Sequence, residues 1–151
     1  MKRFVFAAAL LVVLFASGVL GCSSVAGGLV NDRLKDCPSS PNCVCSTDSN
    51  QARQIAPLDL GAHAEAGWDK LVQVLANLER THIASRDSQY VHAVVTSRLL
   101  RFRDDLELRF DRDAGVAQVR SASRMGYSDL GVNRQRVEEL RTRLAAALAE
   151  K

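Results

Sequence analysis

The run Leu106-Glu107-Leu108-Arg109-Phe110-Asp111-Arg112-Asp113-Ala114-Gly115-Val116-Ala117-Gln118-Val119-Arg120-Ser121 decides the fold. Its apolar residues are even-numbered up to Phe110 and odd-numbered from Ala117. Successive side chains of a strand point to opposite faces, so a change of parity across a short polar segment marks a hairpin. With Arg112-Asp113-Ala114-Gly115 as the loop, Asp111 pairs with Val116, Phe110 faces Ala117 and Leu108 faces Val119, which makes one apolar face. The other face receives Glu107 beside Arg120 and Arg109 beside Gln118, and reads as an exposed polar surface. A slip of one residue would set Leu106 opposite Arg120, so burial favours the first register.

Working outward, residues 81–86 and 90–99 favour extended structure, with Val91, Ala93 and Val95 alternating against Tyr90, His92 and Thr96. His92 reads as an ordinary strand histidine on the face away from the core. Trp68, Leu71, Val72, Leu75 and Leu78 recur at helical spacing between about Glu65 and Glu79, and this stripe reads as core. Val137, Leu140, Leu144 and Leu148 form one stripe of a closing helix, with Asn133 as its expected cap. The expected class is α+β: a three- to four-stranded antiparallel sheet with an N-terminal and a C-terminal helix packed on one face. At 151 residues the chain has room for a single domain, expected over residues 37–151.

The beginning of the chain carries an address. Lys2 and Arg3 precede an apolar stretch from Phe4 to Phe15, which is too short for a span of about 20 residues and reads as an export signal over residues 1–21. Val19-Leu20-Gly21-Cys22 resembles a bacterial lipobox, in which the cysteine is acylated after cleavage. The alternative is a plain secretory signal with Cys22 as one more thiol. Acylation with several chains would tether the protein firmly without spanning the bilayer. Ser23, rather than aspartate, implies passage to the outer membrane in two-membrane bacteria. The expected location is the cell envelope, lipid-anchored and facing the periplasm, with residues 22–36 as a flexible tether rich in polar residues and glycine.

The segment Cys37-Pro38-Ser39-Ser40-Pro41-Asn42-Cys43-Val44-Cys45-Ser46 is dense in turn formers. In an oxidising compartment Cys37 and Cys43 make a natural short disulfide loop, and with Cys22 acylated one thiol is left over. Zinc is the competing reading, but there is no paired C-x-x-C spacing, and His63, His82 and His92 form no matching pair. Together with Arg120-Ser121-Ala122-Ser123-Arg124-Met125-Gly126-Tyr127-Ser128-Asp129-Leu130-Gly131-Val132-Asn133-Arg134-Gln135-Arg136-Val137-Glu138, this segment resembles the domain-of-unknown-function 1499 family over about residues 37 to 145. The resemblance implies a small exported, membrane-associated or lumenal protein with no established activity. Cys45 departs from the pattern, standing where similar sequences carry serine.

The charge balance excludes one class of partner. Of the formal charge of +3, Lys2 and Arg3 supply two units, so the chain from Cys22 onward is near +1, too balanced for a nucleic-acid binder. Between Arg98 and Arg143 there are eleven arginines, no lysine and eight acids. Such a run suits carboxylates, phosphates or lipid headgroups, though solvated or paired side chains account for most of it. Arg134 and Arg136 stand out because cations in the first turn of a helix oppose its dipole. The expected ligand-binding set is Arg120, Ser121, Arg124, Asp129, Asn133 and Arg134, converging near the start of the last helix. No phosphate loop, dinucleotide fingerprint, nucleophile elbow or metal-binding histidine pair is present, and no cofactor is implied. The leading expectation is therefore a tethered module that binds an envelope protein or an anionic ligand. The alternative is a small hydrolase-like enzyme using Asp104 or Asp105 with Ser121 and Arg120.

Overall fold

The computed structural model describes residues 27–150. Four short strands come first: β1 (Leu29–Val30), β2 (Arg33–Leu34), β3 (Cys43–Cys45) and β4 (Leu58–Asp59). They are followed by α1 (Ala64–Ala76), β5 (Thr81–Arg86), β6 (Tyr90–Thr96), β7 (Arg103–Asp111), β8 (Val116–Ser123) and α2 (Val132–Ala149). β1 and β2 pair with each other, and the remaining six strands form one sheet of order β3-β8-β7-β6-β5 in which β4 also pairs with β8. Every pairing within this sheet is antiparallel.

The hairpin of β7 and β8 has the register that the parity change dictates: Asp111 opposite Val116, Phe110 opposite Ala117, Leu108 opposite Val119 and Glu107 opposite Arg120. The sheet is larger than the expected three to four strands. β3 and β4 lie along the same edge of β8, on Arg120–Ala122 and Val116–Ala117 respectively. Segments of three and two residues are too short to show a period, which is why the pattern reading passes over them. The helix placement is corrected as well, because α1 is not N-terminal in the domain but follows four strands. β5 forms the far edge, with an irregular register between Ile83 and Ser85 that leaves Ala84 unpaired.

Two apolar clusters sit on opposite faces of this sheet. The larger contains Leu106, Leu108, Phe110, Ala117, Val119, Val91 and Ala93 together with Trp68, Leu71 and Leu75 of α1 and Val137, Leu140 and Leu144 of α2. Trp68 stacks on Phe110 with ring centroids 5.4 Å apart and planes within 11°. The smaller contains Leu34, Cys37, Cys43, Cys45, Tyr90 and Ala122, with Leu29 packed against it. The second face, expected to meet solvent, is therefore covered by the segment running from Gly27 to Cys45. Asn31 and Asp32 both adopt positive φ, +49° and +58°, and make the tight turn between β1 and β2 within the stretch read as a flexible tether.

Covalent and polar ties hold the cover down. Cys37 and Cys43 form a disulfide, as the turn-rich spacing suggests, and Cys45 is a buried free thiol. Buried Asp48 accepts hydrogen bonds from the Cys37 amide at 3.2 Å, the Asn50 amide at 2.8 Å and Arg53 Nε at 3.3 Å. On the other face, Gly67 lets α1 close onto Leu60. A Cβ at Gly67 would lie 2.0 Å from the Leu60 carbonyl oxygen, a backbone atom that cannot swing aside.

Gly67→Ala should therefore destabilise the fold even though alanine favours a helix over glycine by about 1 kcal/mol. The expected net loss is about 1–3 kcal/mol, the range for overpacking a filled interior, read from urea unfolding.

Candidate functional site

The polar residues of β7 and β8 divide by parity between the two sheet faces. On the α2 side lie Asp104, Ser121 and Ser123, and they meet Asn133 and Arg136 from the first turns of α2. Ser121 Oγ donates to Asn133 Oδ1 at 2.7 Å, and Arg136 Nη1 donates to Ser121 Oγ at 2.9 Å while its Nη2 forms an ion pair with Asp104. Asn133 Nδ2 donates to the Asn42 carbonyl at 2.9 Å and to Ser123 Oγ at 3.0 Å. Asn133 is fully buried and acts as a connector between strand and helix rather than as the cap expected from the sequence. The N-cap is Gly131 in the left-handed region at φ +84°, and Asp129 accepts from the Gly131 and Asn133 amides at 3.0 and 2.7 Å. An acceptor there answers the unpaired N–H groups of the first turn.

On the opposite face, Tyr90 and His92 of β6, Asp105 and Glu107 of β7, and Arg120 and Arg124 of β8 form a second cluster under the N-terminal cover. Glu107 accepts from Tyr90 Oη at 2.6 Å, Arg120 Nη1 at 2.8 Å and the Gly28 amide at 2.7 Å. Glu107 is 0% and Arg120 2% exposed, so this pair is not the rim contact that the polar alternation suggests. Asp105 accepts from His92 Nε2 at 2.6 Å and from Arg124 Nη2 at 2.7 Å. The His92 ring lies directly beneath Gly27, where a Cβ would come within 2.7 Å of it. Arg120 Nε is buried without a hydrogen-bond partner among the described residues.

The electrostatics follow from these contacts. Burial raises the Asp105 carboxyl, but the hydrogen bonds and charges of His92 and Arg124 outweigh it and hold the pKa below the ordinary value of 3.8. The Tyr90 hydroxyl is pushed well above its usual range, first by burial and then by its hydrogen bond to the Glu107 carboxylate. Arg124 is raised by its hydrogen bond to Asp105.

The six residues expected to converge fall into three places. Ser121, Asp129 and Asn133 come together at the start of α2. Arg134 is close in sequence but turns outward, donating to the Gln54 and Ala52 carbonyls at 2.8 and 3.3 Å. Arg120 and Arg124 occupy the other face of the sheet. The same division separates the residues of the enzyme alternative, because Asp104 and Ser121 lie on one face and Asp105 and Arg120 on the other. Arg136, singled out as a first-turn arginine but left out of the expected set, is compensated by Asp104. Tyr90, His92 and Glu107 were legible only as alternating polar positions. Among the described residues there is no group of three metal-ligating side chains. An open cleft of about 480 Å³ between the β5–β6 end of the sheet and α2 is lined by Thr81, Thr96, Arg98, Val132, Arg136 and Arg143, among others.

Removing one partner of the buried pair should be far costlier than removing both. Arg120→Met strands a buried Glu107 carboxylate and should cost about 3–5 kcal/mol, and adding Glu107→Gln should recover much of that loss in a double-mutant cycle of urea midpoints. Asp105 predicts an acid limb. Its pKa is lower folded than unfolded, so its stabilisation is complete above 3.8 and is lost as pH falls through the depressed folded value. Unfolding free energy measured against pH should therefore drop less steeply below 3.8 in Asp105→Asn than in the parent, although the variant starts from a lower stability at neutral pH.

The sequence pattern that defines a family described as protein of unknown function (DUF1499) matches residues 33–144, the stretch holding the side chains of both polar clusters, the disulfide, α1 and most of α2. No curated protein matches the chain. With more than half of its length matched, including the cysteine loop and the arginine-serine segment that suggested the resemblance, the chain belongs to the DUF1499 family.

Proposed function

We propose that this protein is a lipid-anchored domain of the bacterial cell envelope, acylated on Cys22, facing the periplasm from the outer membrane, and working as a binding or structural module for an envelope protein or an anionic ligand. The observation that carries this reading is how firmly the residues just after Cys22 are held. Gly27, five residues after Cys22, packs on the His92 ring, and the next amide, that of Gly28, donates to buried Glu107. The chain is thus fastened to a fully buried carboxylate within a few residues of the proposed anchoring cysteine. Cys22 itself lies outside the described residues.

Three further features support the module reading. The carboxylates Asp104, Asp105 and Glu107 are each engaged by arginine, and the Ser121 hydroxyl is engaged by Asn133 and Arg136. The disulfide suits an oxidising compartment. The cleft beside α2 is open and polar, with Arg98 the lining arginine that forms no ion pair among the described residues while Arg80, Arg136 and Arg143 pair with Glu79, Asp104 and Glu139. Among the described residues no helix is long and apolar enough to cross a membrane.

Metabolic labelling with a fatty-acid probe should tag the wild-type chain and leave Cys22→Ser untagged. On a density gradient of cell membranes the wild type should travel with the outer-membrane fraction and the variant should not. Equal labelling of the two proteins would refute the anchor.

A further inference from the structure

Seven of the eight exposed large hydrophobic side chains among the described residues lie at one end of the sheet. They are Leu99, Leu100 and Phe102 in the connection between β6 and β7, and Met125, Tyr127, Leu130 and Val132 between β8 and the start of α2. The two connections are neighbours: Thr96 pairs with Arg103, Asp104 pairs with Ser123, and the Arg124 amide donates to the Arg103 carbonyl at 3.2 Å. Leu99 is 88% and Leu130 94% exposed, and Leu130 sits at φ +54°, a conformation that a leucine rarely adopts. Arg98, Arg101 and Arg103 are exposed among them, and none of the three is ion-paired within the described residues. The loops at the opposite end of the sheet, Asp87-Ser88-Gln89 and Arg112-Asp113-Ala114-Gly115, carry no large apolar residue. Contiguous exposed apolar surface on one pole of a small domain marks an interaction site.

We infer that this pole rests in the interfacial layer of the bilayer to which the chain is tethered, with the leucines and aromatics among the acyl chains and the arginines on anionic headgroups. The inference rests on the lipid-anchor reading and adds to it the face that meets the membrane. The path of the N-terminal segment selects the bilayer over other occupants. Asp32 pairs with Arg109, the Gly28 amide binds Glu107, and Gly27 lies on His92, whose carboxylate partner is Asp105. Followed towards the N-terminus, the chain thus moves along β7 from Arg109 to the level of Glu107 and its register partner His92, towards the apolar pole. From that level to Arg103 is four strand residues, about 13 Å. The five residues back to Cys22 can extend about 17 Å, so an acyl group on Cys22 can enter the same surface as the pole. The composition fits this occupant, because leucine, phenylalanine and tyrosine flanked by arginine match the apolar and anionic layers of an interface.

The test uses the full acylated chain reconstituted into vesicles of phosphatidylethanolamine and phosphatidylglycerol with brominated acyl chains. Buried Trp68 serves as a constant background, and single reporters are added as Leu100→Trp, Leu130→Trp and, at the opposite end, Ala114→Trp. The reporters at 100 and 130 are expected to lose most of their added emission and the one at 114 to keep it. Replacing Arg98, Arg101 and Arg103 together by glutamine should weaken the quenching at both positions. Vesicle-bound protein with no quenching at 100 and 130, or equal quenching at all three positions, overturns the pole while leaving the anchor standing. A full chain that does not float with the vesicles removes the anchor and the inference together.

Discussion

The buried pair of Glu107 and Arg120 is the constraint around which the rest of this structure is arranged. Burying two opposite charges in the middle of a sheet costs several kcal/mol of desolvation per ion, which is offset on the carboxylate side by filling its hydrogen-bonding positions, while Arg120 Nε stays without a partner among the described residues. Glu107 takes three donors from three parts of the chain: Tyr90 on β6, Arg120 on β8 and the Gly28 amide of the N-terminal cover. The cover is thus more than a lid of apolar side chains, since it supplies a donor that the pair needs. The disulfide and the Asp48 hydrogen bonds shape the next part of the same segment, so their effect reaches the centre of the sheet through backbone geometry.

What was readable in the sequence and what was not separate along a physical line. Parity of apolar residues specified the register of β7 and β8, because a one-residue slip would turn every side chain to the wrong face. Helical spacing located α1 and α2 for a similar reason. Polarity alone could not tell whether the second face was wet or covered. Glu107, Arg120 and His92 alternate as solvent-facing residues would, and only the return of a segment some eighty positions away buries them. A local signal did exist in Asn31-Asp32, a dipeptide suited to a two-residue turn with positive φ, but the flanking strands are two residues long and carry no period.

The candidate site was partly legible for a related reason. Ser121, Asp129 and Asn133 lie within a few residues of a strand end, a glycine turn and a helix start, and chain continuity brings them together. The assignment of Arg120 and Arg124 to that group ignored the alternation that had served so well in the hairpin. Residues of even number on β8 point away from Ser121, so proximity in sequence placed them across the sheet. Arg136 shows the converse. With the cap at Gly131 it falls in the second turn of α2 and not in the first, and its partner Asp104 comes from a strand that sequence proximity does not connect to it.

The far edge of the sheet ends on an interruption. Along β8 the outer backbone groups are taken up by β3 and β4, so β5 is the long edge left without a neighbouring strand. Its register breaks at Ala84, and Arg86 and His82 stand on it as exposed polar side chains. A bulged and charged edge is a poor template for adding another strand. Where copies of this domain meet at high concentration, that irregularity disfavours growth of the sheet from one molecule into the next.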